Sequence, residues 1–193
     1  MRLFVMARHG ESTFNVQRRV NGDPGVSVVL TESGRAQGRR LGLQLRGMPI
    51  DLCWISRFAR VSETAALVLE GRGVPLQVDA RLDDLGLGAF EGRHADTHRE
   101  WRRGHGRDEA PPGGESLEAA RLRYVQLFDD LLARPAPTSL VIGHELSLRY
   151  LLNAALGSDH LDDPIHHIAN ATPYIFDENA LTVALDRMSR LRD

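Results

Sequence analysis

Three short apolar runs, LFVMA at 3–7, LCWIS at 52–56 and SLVIG at 139–143, each end in a polar or glycine-bearing segment, and helical periodicities lie between them. Runs this short and apolar suit strands buried on both faces, as in a parallel sheet whose crossovers are helices. Leu41, Leu45 and Met48 mark one helix, in a segment entered by Thr31; Val61, Ala65, Val68 and Leu69 mark a second, stopped by Gly71 and Gly73. The clearest helix carries Leu117, Ala120, Tyr124, Leu127, Phe128, Leu131 and Leu132 behind Ser116 as N-cap. A fourth carries Leu148, Leu151, Leu152 and Ala155 and stops at Gly157. This alternation predicts a three-layer α/β/α sandwich with a mostly parallel central sheet. Segments 172–177 and 181–186 read as a terminal hairpin turning at Asp177-Glu178-Asn179. A chain of 193 residues suits a single domain, 1–193. The stretch 86–115 breaks the rhythm and reads as a lid or insertion around an active site, because a loop of that length is usually functional.

Composition removes several function classes. All 24 basic residues are arginine, so Schiff-base chemistry, pyridoxal enzymes and the P-loop lysine are excluded. Against 26 acidic residues they leave a net charge of -2, without the basic excess that binding to a phosphate backbone needs, and nucleic acid is not an expected partner. Cys53 is the single cysteine, which rules out an intramolecular disulfide and a cysteine metal knuckle and suits a cytoplasmic protein. No apolar run approaches the roughly 18 residues of a membrane helix, so no membrane is expected either.

In parallel α/β sheets, ligands gather in the crevice beyond the carboxyl ends of the strands. The first strand is followed by Arg8-His9-Gly10-Glu11-Ser12, the second by Ser56 leading to Arg60, and the last by Gly143-His144-Glu145 opening a helix. Two histidines and two arginines therefore converge beside a helix N-terminus whose free amides favour an anion. Phosphate fits best: two guanidiniums hold its oxygens, and an imidazole in line with phosphorus can take the phosphoryl group covalently.

At these residues the sequence resembles the histidine phosphatase superfamily, the phosphoglycerate mutase-like proteins. RHGESTFN at 8–15 matches the signature after the first strand, and LTESGRAQG at 30–38 is similar to the family's helix entry. SRFARVSETA at 56–65, RLDDLGLGAFEG at 81–92, PPGGES at 111–116 and VIGHELSLR at 141–149 follow in family order, so the likeness runs nearly the full length. The resemblance implies the phosphoglycerate mutase-like fold, with His9 as nucleophile and with Arg8, Arg60 and His144 as the phosphate pocket. It also implies that Asn15 and the Asn21-Gly22 backbone line that pocket, and that Asp84 stands where relatives carry a glutamate proton donor. No metal and no cofactor are expected, since arginines stabilise the transition-state charge.

Other features carry less. Glu145 adjoins the pocket, and because a carboxylate beside phosphate is repulsive its side chain is expected to turn away, with a proton-shuttle role as the alternative. Glu91 and Glu145 compete with Asp84 as donors. His94 and His98 read as surface histidines, and the pairs Asp129-Asp130 and Asp162-Asp163 as helix-end charge. Cys53 lacks an arginine six positions on, where Ala59 stands, so it is not a cysteine-phosphatase nucleophile. Trp101-Arg102-Arg103 resembles the basic loop that mutases place over substrate, which makes Arg102 and Arg103 lid contacts. The absence of lysine, and Glu145-Leu146 where mutases carry Gly-Asn, favour a phosphatase of small phosphorylated metabolites over a mutase. A phosphate-binding regulatory domain without turnover is the reading from another class, disfavoured because binding alone does not use all four pocket residues. A small phosphate ester is the expected partner, with a homodimer as the assembly to consider.

Overall fold

A computed structural model describes residues 2–190. Strand β1 (Leu3–Arg8) leads through the single turn α1 (Thr13–Val16) to helix α2 (Glu32–Gln44), β2 (Leu52–Ile55), α3 (Ala59–Val68) and β3 (Leu76–Val78). Two short 3₁₀ turns, Ala80–Leu82 and Gly88–Phe90, precede α4 (Ala95–Arg103) and α5 (Leu117–Ala133); then come β4 (Thr138–Gly143), α6 (Glu145–Ala155), β5 (Pro173–Asp177) and α7 (Glu178–Arg190).

The five strands form one sheet in the order β3-β2-β4-β1-β5, in which only β5 runs antiparallel. Side chains of the inner strands alternate between two apolar cores. Phe4, Met6, Trp54 and Val141 pack against α5, α6 and α7, whereas Val5, Ala7, Cys53, Ile55, Leu140 and Ile142 pack against α2 and α3. The sandwich thus has the three layers expected. Each fully buried Val, Leu, Ile or Phe contributes about 1.5–3 kcal/mol. Caps set the helix starts: the Thr31 side chain accepts from the Gly34 amide at 3.0 Å, and Ser116 does the same for Ala119 at 3.0 Å.

The terminal hairpin is not formed. Residues 173–177 do pair with β1, but 181–186 belong to α7, where Leu181, Ala184, Leu185 and Met188 are buried at helical spacing. The Asp177 side chain accepts from the Ala180 amide at 2.8 Å, so the expected turn is a helix cap. Within 86–115 a whole helix, α4, escaped the sequence reading, because its exposed, charged face offers almost no apolar period. No described helix is long and apolar enough to cross a membrane.

Candidate active site

Register places the two histidines. Arg8 of β1 lies opposite Gly143 of β4, so His9 and His144 leave the sheet side by side, their ring centroids 5.4 Å apart. The His9 amide donates to the Gly143 carbonyl at 3.1 Å. Gly10 is needed at the next position, where a Cβ would stand 2.5 Å from the Gly34 carbonyl oxygen of α2. His9 Nδ1 lies 2.7 Å from the Gly10 carbonyl oxygen, which can only accept. Nδ1 therefore carries the proton and Nε2 keeps its lone pair. Burial, then the charges of Arg60, His144 and Arg8, hold the His9 pKa well below its ordinary value. His9 is thus a neutral imidazole with Nε2 unprotonated.

Arg60, near the start of α3, gathers the pocket. Its Nε donates to His9 Nε2 at 3.0 Å, and its terminal nitrogens donate to Asn21 Oδ1 at 2.5 Å, the Asn21 carbonyl at 3.2 Å, Asp84 Oδ2 at 3.2 Å and His144 Nδ1 at 3.2 Å. Because Nδ1 of His144 accepts, its Nε2 donates to Ser56 Oγ at 2.9 Å, which gives the strand-end serine a role of its own. Burial and the charges of Arg60, Arg8 and Arg123 press the His144 pKa well below 6.5. A bound phosphate dianion supplies the counter-charge that opposes this depression.

The carboxylates divide their work. Asp83 is structural: its oxygens accept from the Arg57 amide at 3.0 Å and from Arg57 Nε at 2.7 Å. Asp84 faces the site, with Oδ2 3.4 Å from His144 Nδ1. Its shorter reach is met by a backbone that Arg123 and Tyr124 hold in place, donating to the Asp83 carbonyl at 2.9 and 3.0 Å. No sequence signal announces these two. Glu91 is fully engaged: Oε1 accepts from Asn21 Nδ2 and Oε2 from the Gly22 amide, each at 2.8 Å. The Gly22 amide is therefore turned to Glu91 rather than to the phosphate site, a correction to its expected role. Gly22 is required all the same, since a Cβ there would overlap the Leu85 carbonyl oxygen. Asn15 lines the cleft, but its Oδ1 caps α1 by accepting from the Ser12 amide at 2.9 Å.

Glu145 does not turn away. Its Oε2 lies 2.7 Å from an Arg8 terminal nitrogen, and its Oε1 pairs with Arg149 one turn along α6. Arg8, His9, Asn21, Arg60, Asp84 and Glu145 border a cleft of about 810 Å³, whereas His144 and Glu91 stand behind its lining. Arg99, Arg102 and Arg103 of α4 are among its lining residues. His98 is not a plain surface residue: it is half-buried against the cleft between Phe90, 5.5 Å away, and Trp101, 6.1 Å away. His94 is exposed and caps α4. Burial raises the Cys53 thiol pKa to about 12, which leaves it inert.

The family model of the histidine phosphatase superfamily (branch 1) matches residues 4–189. A 2,3-bisphosphoglycerate-dependent phosphoglycerate mutase from Gloeobacter violaceus is 33% identical over 177 residues, covering 83% of this chain and 77% of the relative. Among solved structures, Bacillus stearothermophilus YhfR superposes with a TM-score of 0.80 at 28% identity, covering 92% of this chain and 91% of the other. A mycobacterial glucosyl-3-phosphoglycerate phosphatase with bound VO3 gives 0.75 at 27% identity, covering 91% and 92%. With the family model matching residues 4–189 and a relative 33% identical over 83% of this sequence, the chain belongs to the histidine phosphatase superfamily.

Proposed function

We propose that the chain is a phosphomonoester hydrolase that passes the phosphoryl group of a small phosphorylated metabolite through His9 to water. The observation that carries the reading is the His9 tautomer, with Nδ1–H held by the Gly10 carbonyl and Nε2 unprotonated, its lone pair accepting from Arg60 Nε until a phosphate draws that guanidinium to its oxygens. The N–P bond forms at Nε2 as the P–O bond breaks, and the departing oxygen takes its proton from Asp84. Arg8 and Arg60 stabilise the equatorial oxygens. Water then attacks phosphorus, gives a proton to the Asp84 carboxylate and releases orthophosphate, restoring neutral His9.

Relatives named as mutases make transfer back to a bound acid the second reading, and the arginines of α4 could hold such an acid. Two features support hydrolysis. Glu145 on the pocket rim repels the carboxylate of a bound sugar acid, and the cleft, about 810 Å³, has room for water and for esters larger than a three-carbon acid. A reduced, unpaired Cys53 supports a cytoplasmic setting. Orthophosphate release from a panel of phosphomonoesters is the test, with 3-phosphoglycerate plus 2,3-bisphosphoglycerate as the mutase arm. Hydrolysis of at least one ester should exceed mutase turnover; interconversion of phosphoglycerates faster than any phosphate release would overturn the assignment.

A further inference from the structure

Both pocket arginines are already matched by carboxylates. Asp84 lies on Arg60 at 3.2 Å and Glu145 on Arg8 at 2.7 Å, so each of these guanidiniums already has a carboxylate against it. A phosphate dianion brought against Arg8 and Arg60 must compete with both carboxylates unless one leaves or is neutralised, and like charges at such distances are strongly repulsive. Asp84 resolves its share by carrying the proton for the leaving group. Glu145 has another exit: Oε1 already pairs with Arg149, whose side chain borders the cleft, and the carboxylate is 38% exposed. Arg8 would keep its bond to the Ile168 carbonyl, at 3.0 Å, when Glu145 departs.

Building on the hydrolase reading, we propose that Glu145 is a positioning residue that competes with phosphate for Arg8. It holds the guanidinium aligned between turnovers, is displaced onto Arg149 by the dianion of a phosphomonoester, and returns to weaken the hold on product orthophosphate. A monoanionic phosphodiester brings half the charge and displaces it poorly, so the same contact selects for monoesters.

Glu145→Gln keeps the shape and removes the charge. The inhibition constant of orthophosphate should fall about tenfold, equivalent to about 1.4 kcal/mol, and KM should fall with it, while kcat responds equally for alkyl and aryl phosphates. Arg149→Gln, which strands Glu145 on Arg8, should raise the orthophosphate constant several-fold in the wild type and leave it unchanged in the Glu145→Gln background. Three results would overturn the proposal: an orthophosphate constant that shifts less than threefold or rises in Glu145→Gln, a kcat loss confined to alkyl phosphates, or an Arg149→Gln effect that persists without Glu145. His9→Ala separates the two levels of the argument. If it retains turnover the hydrolase mechanism fails; if it is inactive while Glu145→Gln leaves phosphate binding unaltered, only the role of Glu145 fails.

Discussion

Acidification from about pH 7.5 to about pH 5.5 should destabilise the protein through two histidines. His9 and His144 are buried, and desolvation together with neighbouring arginines holds each pKa well below 6.5. In the unfolded chain both imidazoles take up protons as the pH passes about 6.5, whereas in the folded protein they stay neutral. Unfolding therefore binds protons in this window, so the stability they confer is present above pH 6.5 and lost as the pH falls. A group that stays neutral loses at most RT ln 10 per pH unit below 6.5, so the two together cost on the order of 2–3 kcal/mol across the window. Half-buried His98 shifts in the same direction and adds to the loss. Carboxylates that lose arginine partners titrate lower, near their ordinary values of about 4. Urea denaturation at several pH values measures the change, with the His9→Gln/His144→Gln double variant as reference. The wild type should lose on the order of 2–3 kcal/mol more than the variant across the window. Parallel losses in the two proteins would mean that the histidines are protonated in the fold, and the neutral-nucleophile argument would fall with that result.

Asp84→Asn should cut turnover of alkyl phosphates by about a hundredfold and that of p-nitrophenyl phosphate much less, because an acid matters most when the departing alkoxide is basic. Equal losses on both would make Asp84 a binding group only. Glu91→Gln removes an acceptor from either Asn21 or the Gly22 amide and loosens the partner of Arg60; kcat/KM should drop about tenfold with no dependence on the leaving group. A loss selective for alkyl esters in that variant would instead identify Glu91 as the donor.

Much of the site was legible because its residues follow strands. Arg8, His9 and His144 sit where apolar runs end, and in a parallel sheet those ends meet, so local pattern implied a long-range meeting. What could not be read depends on the paths of loops. The Gly22 amide turns toward Glu91, 69 residues away in sequence, and nothing near Gly22 announces that partner. Arg123 and Tyr124 read as ordinary positions of an amphipathic helix, yet their tips fix the loop that presents Asp84. Repulsion by phosphate does not set the place of Glu145; attraction by Arg8 on one side and Arg149 on the other does. The terminal hairpin failed on period: Leu181, Ala184, Leu185 and Met188 step by three, one and three, which is the face of a helix and not the alternation of a strand.

Covalent transfer to His9 is the central claim, and rapid quenching with a phosphorus-labelled ester tests it most directly. The account predicts protein-bound label that is stable in base, labile in acid, located on the peptide containing His9, and absent from His9→Ala, which should also lose turnover. Label on another residue, or near-normal turnover by His9→Ala, would contradict it.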